Sequence, residues 1–301
     1  MPARLTAYVP DSAAITRTLG AGEALRIGRA ADCDLPLAHA SISRAHAKLS
    51  DGGDHWLLTD LGSKNGSFVD GAPVVRARLQ HSCWLRFGDI HCEFAVLDPA
   101  AQEVEDARWR ERQRTATAYT QQLDALASAS PTAPTPARSL LQGSLQAMVE
   151  LAGCERGFLL VEEDGSFRVG AALALDPAHM AGAQFVGSLS AVSRAIAERR
   201  PVVFNEPGQD AWMDARESVV RGGLRTLVCL PLLDGERVLG AIYADRRSAG
   251  PPLTTLDLQL LEAFAERTAL WLSAHLARSA LAVDNRSGGL DWQRILAEPA
   301  G

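Results

Sequence analysis

Arg29, Ser43, Arg44, Lys64 and Asn65 fall in three short stretches, Gly28-Arg29, Ser41 to His46 and Asp60 to Gly66, each set between runs that read as strands. An arginine offers a planar fork of donors, a lysine a compact point charge, a serine a short hydroxyl donor, and an asparagine an amide able to hold a peptide backbone. That set suits a phosphate dianion carried on an extended peptide. Taken singly, each residue has an ordinary reading: Arg29 and Lys64 as solvated charges, Ser43 as a turn residue, Asn65-Gly66 as a hairpin turn. Their joint order and spacing favour a site.

The elements that must position these residues are short. Between Leu5 and Leu97, segments rich in Val, Ile, Leu, Phe and Trp alternate with Gly, Asp, Asn and Ser clusters. They are Leu5–Val9, Glu23–Ile27, His46–Leu49, Trp56–Asp60, Ser67–Val69, Cys83–Phe87 and His91–Leu97. Many short strands with frequent turns predict an all-β sandwich. Asp51 to Asp54 and Asp70-Gly71 supply positions for tight hairpins, and Pro73 belongs on an edge or loop.

From Pro99 the composition changes. Residues 101–129 lack Gly and Pro, carry many Glu and Arg, and favour a helix with a thin apolar stripe. It would either pair with another helix, its own copy included, or serve as a solvated connector. Ser130 to Pro136 is a Pro-rich hinge. Beyond it the spacing predicts a helix over 138–152 ended by Gly153, then strands Gly157–Glu162 and Phe167–Ala171 joined at Asp164-Gly165. A helix over Ser190–Arg199, a strand over Pro201–Asn205, and the hairpin Arg225–Leu233 with Arg237–Asp245 follow. Thr254, with Asp257 three residues on, caps a final helix running to about Ala282. Strands flanked by terminal helices predict an α+β domain with a central antiparallel sheet. The expected organisation is thus a sandwich over 1–98, a helical linker and hinge over 99–137, the α+β domain over 138–282, and a tail over 283–301.

Composition narrows the classes. A chain of 301 residues, 47% hydrophobic and 22% charged, has room for two cores. A formal net charge of −6 argues against a general affinity for nucleic acid. Five cysteines with no C-x-x-C pair indicate neither a disulfide framework nor a zinc site. No leader-like start and no apolar run long enough for a bilayer is read in the sequence, so a cytoplasmic location without membrane attachment is expected. Walker, kinase, H-E-x-x-H and G-x-S-x-G signatures are all missing, which points to binding rather than catalysis, with no metal and no cofactor implied.

The constellation Gly28-Arg29, Ser43-x-x-His46 and Asn65-Gly66, followed by Phe87-Gly88-Asp89, resembles the forkhead-associated (FHA) family over about residues 5–98. The resemblance implies a sandwich that binds phosphothreonine peptides through loops at one end. It places Arg29 and Ser43 on the phosphate with Arg44 and Lys64 nearby, gives Asn65 the peptide main chain, and makes Gly28, His46 and Gly66 structural supports. Ser67, where many relatives have Thr, and Lys64, where some have a hydroxyl residue, depart from the pattern and leave peptide preference open.

Residues 138–280 are similar to the GAF family, through Gly157-Phe158-Leu159-Leu160, Leu224 to Leu232 and Leu239 to Asp245. That resemblance implies a sensor or dimerisation module. Phe204, Trp212 and Tyr243 lie where the family's pocket tends to form and could sandwich a flat ligand. General burial habits favour their filling the domain's own core. No cyclic-nucleotide or bilin signature is present.

Together the two resemblances imply a bacterial signalling adaptor whose partner is a Thr-phosphorylated protein, a Ser/Thr kinase or its substrate. A small molecule in the second domain, and a homodimer through helices 101–129 and 255–282, are the further expectations. Two alternatives stay open: a GAF-fold redox enzyme of the methionine sulfoxide reductase type using Cys154 or Cys229, and a dimerising scaffold without a small ligand.

Overall fold

A computed structural model describes residues 2–98, scattered helical positions between 100 and 121, and residues 136–163, 165–175, 188–206 and 223–284. The expected helix over 101–129 and the hinge therefore lie largely outside the described residues, as do Trp212 and the tail.

The first part is a two-layer β-sandwich of eleven strands. One sheet has the order β2-β1-β11-β10-β7-β8, the other β4-β3-β5-β6-β9. Their spans are β1 Ala3–Tyr8, β2 Ile15–Leu19, β3 Ala24–Gly28, β4 Leu35–Pro36, β5 Ala47–Asp51, β6 Trp56–Asp60, β7 Ser67–Val69, β8 Ala72–Val74, β9 Arg76–Leu79, β10 Cys83–Phe87 and β11 Ile90–Val96. Every pairing is antiparallel except the short β3–β4 contact. Alternate residues point into one shared core: Leu5 and Ala7 from β1, Leu25 and Ile27 from β3, Trp56 and Leu58 from β6, Cys92 and Phe94 from β11. Trp56 of one sheet meets Phe94 of the other edge to face, ring centroids 6.4 Å apart, which locks the layers together. Pro73 lies in β8, at the rim of its sheet, where its missing donor costs no ladder bond.

Register fixes which loops share an end. Ile27 pairs with Ala47 and Ala47 with Asp60, so the segments after β3, before β5 and after β6 emerge together. Phe87 pairs with Ser67 and Ile90, and Tyr8 with His91, which brings the β10–β11 turn and the loop leaving β1 to that same end.

The second part is a five-stranded antiparallel sheet, order β13-β12-β16-β15-β14, with helices on both faces. Its elements are α1 Pro136–Leu151, β12 Arg156–Glu163, β13 Ser166–Leu173, α2 Leu189–Glu198, β14 Val202–Asn205, β15 Thr226–Asp234, β16 Arg237–Arg246 and α3 Thr255–Asp284. Leu159, Val228, Leu230 and Ile242 face α1 and α3, while Phe158, Leu227, Cys229 and Tyr243 face α2. Burial on both faces explains why β15 and β16 read as nearly unbroken apolar runs. Gly153, at φ +58°, ends α1, with its amide on Glu150 and that of Cys154 on Val149. Thr254 and Asp257 form the reciprocal cap of α3: the Thr254 amide donates to the Asp257 carboxylate at 2.9 Å, and the Asp257 amide to Thr254 Oγ1 at 3.3 Å.

Candidate functional site

The three loops carrying the candidate residues are sewn together mainly through their backbones. Arg29 N–H donates to the Ser43 carbonyl at 2.8 Å and Ala30 N–H to that of Arg44 at 3.2 Å, which fixes the start of the β3–β4 loop against the segment before β5. Gly28 makes that approach possible: a Cβ there would lie 2.2 Å from the Arg44 carbonyl oxygen and 2.8 Å from Cys33 Sγ. Neither position can give, because one is backbone and the other a buried thiol bonded to the same carbonyl.

His46 joins two of the loops from below. It is fully buried, and its Nε2 lies 3.1 Å from the Gly66 carbonyl oxygen. A carbonyl only accepts, so Nε2 carries the proton and Nδ1 is free to accept the Ser43 N–H, as it does at 3.1 Å. Burial lowers the pKa of His46, against the opposing influence of the Gly66 hydrogen bond and the Asp60 charge. The neutral tautomer the brace requires is therefore the one its surroundings favour.

The β6–β7 loop is wound around Asp60. Its carboxylate accepts from the amides of Gly62 (3.0 Å) and Ser63 (2.9 Å) and from the hydroxyls of Ser63 (2.7 Å) and Ser67 (2.6 Å). Burial pushes that carboxyl up, but the Ser67 and Ser63 hydrogen bonds outweigh it and hold the group below the usual carboxylate range. The Gly66 amide closes the loop on Ser63 Oγ at 3.0 Å, with Gly66 at φ +76°. Asn65 Nδ2 donates to the Ser41 carbonyl at 2.8 Å, and Ser41 Oγ accepts from the Asp89 amide at 2.9 Å. Arg86 lies 3.6 Å over the Phe68 ring and donates to the Gly88 carbonyl at 2.6 Å. Asp60, Ser63, Ser41 and Arg86 are thus structural parts of this end of the sandwich that the motif reading passed over. The signal was present for the first two, since an Asp with Gly and Ser two and three residues on is an Asx-turn pattern.

What faces outward is a cationic rim with one hydroxyl. Arg29, Arg44 and Lys64 are exposed, and among the described residues no ion pair involves them. Ser43 Oγ accepts the Lys64 amide at 3.0 Å, which uses an oxygen lone pair and leaves its proton to be donated elsewhere. Asn65 keeps its Oδ1 and a second amide hydrogen beyond the bond to Ser41. The loops thus bring Arg29, Ser43, Arg44, Lys64 and Asn65 to one end on a braced base. Guanidinium, ammonium, hydroxyl and amide donors gathered in this way can bind an anion, and nothing among them offers a nucleophile paired with a base.

In the second part, Tyr243 is fully buried and stacked on Phe158 with centroids 4.9 Å apart. Its hydroxyl donates to Asp245 Oδ2 at 2.8 Å and accepts the Ser188 amide at 3.1 Å. Asp245 is held twice by Arg156, through Nε at 2.6 Å and Nη2 at 3.1 Å. Phe204 is half-buried against the same cluster. Tyr243 and Phe204 therefore pack into the face under α2, and Trp212 lies outside the described residues. Burial pushes the thiols of both Cys154 and Cys229 up to about 12, which keeps them protonated at neutral pH and poor as nucleophiles.

Comparison with known proteins agrees with this division of the chain. Residues 25–88 match the FHA domain family and residues 136–272 the GAF domain family. Among curated proteins, the FHA domain-containing protein FhaB of Mycolicibacterium smegmatis is 39% identical over 75 residues, 25% of this chain and 48% of that protein. FhaB of Mycobacterium tuberculosis is 47% identical over 51 residues, 17% of this chain and 33% of that protein. The chain thus spans half or less of the length of the curated relatives it matches. Among solved structures, the FHA domain of the CT664 protein from Chlamydia trachomatis is 25% identical, with a TM-score of 0.31, covering 33% of this chain and all of that one. The FhaA FHA domain, solved in complex with the intracellular domain of Rv3910, is 31% identical with a TM-score of 0.27, covering 30% of this chain and 98% of that one.

Proposed function

Given an FHA domain followed by a GAF domain, we propose that this chain is a bacterial signalling adaptor, not an enzyme, and that it docks a Thr-phosphorylated segment of a partner protein on the loops around Ser43. The partner is a Ser/Thr kinase or one of its substrates, in a reducing cytoplasm consistent with five free cysteines. Arg29 and Ser43 hold the phosphate, Arg44 and Lys64 add charge beside it, and Asn65 takes the peptide main chain. The observation that carries this reading is the Ser43 hydroxyl. Its oxygen accepts the Lys64 amide and its backbone amide donates to His46, so the hydroxyl is held between the loops that carry Arg44 and Lys64, exposed cations that form no ion pair among the described residues.

A phosphate of charge about −1.5 to −2 gains roughly 1.5 to 3 kcal/mol for each charge-assisted hydrogen bond. Arg29→Ala should therefore weaken binding of phosphothreonine peptides by roughly tenfold or more, measured by fluorescence anisotropy. Equal binding by wild type and Arg29→Ala would remove the reading.

The GAF domain serves as the sensing or dimerising half. Support for self-association comes from α3, which leaves Leu256 49% and Leu270 63% exposed. The closed packing of Tyr243, the burial of Cys229 and the raised pKa of both thiols favour this over a cysteine redox enzyme.

A further inference from the structure

The loop between β1 and β2, residues 9–14, does not belong to the sandwich alone. Ala14 N–H donates to the Leu253 carbonyl and Thr255 N–H to the Ala14 carbonyl, both at 2.9 Å, forming a parallel bridge between Ala14 and Thr254. Thr255 is the first residue of α3, where a helix leaves its amides without internal partners, so the sandwich supplies the missing acceptor. Ala13 is 2% exposed and lies in the same apolar cluster as Val203, Leu253 and Leu261, that is, in the core of the second domain. Asp11, at φ +57°, turns the loop and faces Arg194 of α2 at 3.5 Å.

On the receiving side Leu253 is gripped from the other flank as well. Asn205, the last residue of β14, donates to its carbonyl at 2.9 Å and accepts its amide at 2.8 Å. Two donors therefore converge on one buried carbonyl, one from each domain. An apolar residue, a helix-end acceptor and an ion pair within four consecutive positions make a built contact, not a chance touch between surface loops.

We propose that residues 9–14 form a clasp through which the sandwich completes the core of the GAF domain, so that this loop and the start of α3 open together. The clasp leaves the sandwich at the end that carries Ser43 and Lys64, and it holds the GAF domain there. Each side has a stake in the contact: the loop loses its bridge if α3 frays, and α3 loses its first acceptor if the loop lifts.

Hydrogen exchange on the full chain, read by mass spectrometry, tests this. In the wild type, segments 9–14 and 253–258 should both exchange slowly. Ala13→Asp, which places a carboxylate among apolar side chains, should speed exchange in both by tenfold or more while β3 and β5 keep the wild-type rate. The milder Ala13→Gly, removing one buried methyl, should speed both by about fourfold and decides the matter if the first variant does not fold. Fast exchange of 253–258 in the wild type, or wild-type exchange of 253–258 in Ala13→Gly with segment 9–14 freed, would overturn the proposal.

Discussion

At the level of single side chains, the arrangement depends on one imidazole remaining neutral. His46 accepts from Ser43 and donates to Gly66, and a proton on Nδ1 would turn the first of these bonds into a clash of donors. Because burial lowers its pKa in the folded protein, the unfolded chain binds the proton more readily. The contribution of His46 to stability is therefore full above its unfolded value near 6.5 and is lost as pH falls through the lower folded value. His91 is shifted in the same direction by burial, so the comparison must isolate the residue. His46→Asn should be less stable than wild type at pH 7.5, and the gap should narrow as pH drops below about 6, followed by urea unfolding at each pH. A gap that stayed constant or widened on acidification would contradict the assigned tautomer.

The motif residues were legible because each has a chemistry visible in its letter. Arg29, Ser43 and Lys64 announce donors, Gly28 a close approach of backbone and Gly66 a left-handed turn. Ser41 was passed over because its work is internal: its hydroxyl holds the Asp89 amide from far along the chain, a partner no local pattern announces, whereas Asp60 stood in a readable Asx-turn pattern.

At the level of elements, the same contrast holds. Trp56–Asp60, Ser67–Val69 and Cys83–Phe87 were expected at the limits they have, since short segments rich in apolar residues stand there between clear turn signals. β2 was missed because its Thr16-Arg17-Thr18 centre lies on a sheet edge and shows water its polar side. β4, two residues with a proline, and β8 and β9, interrupted by Pro73 and rich in Arg, carry no period to read.

Two substitutions test how the elements hold. Gly28→Ala must push a methyl into the Arg44 carbonyl, so it should cost roughly 1 to 3 kcal/mol in urea unfolding and weaken phosphopeptide binding together. Retained affinity with lowered stability would show that the β3–β4 loop can shift without moving Arg29. Thr254→Ala removes the N-cap of α3 and should cost about 1 kcal/mol, with faster exchange in the first turn of that helix.

At the level of the whole molecule, the question is whether two chains meet along α3. Leu270, 63% exposed halfway along a 30-residue helix, is the clearest apolar group without cover among the described residues there. Leu270→Glu should shift the protein from dimer to monomer in light scattering while leaving phosphopeptide affinity unchanged. A wild type that is already monomeric at tens of micromolar would remove self-association from the proposed function.

The bridge between Ala14 and Thr254 also bears on how the protein should be dissected. The stretch that matches the FHA family begins only at residue 25 and the GAF match at 136, so a fragment cut at those limits discards the loop that reaches across. Expressed from residue 136, the C-terminal fragment would carry a methyl-sized hollow beside Leu253 and a bare amide at Thr255. Its melting point would then understate that of the intact protein, and an unstable fragment would be a result of the scissors rather than of the domain itself.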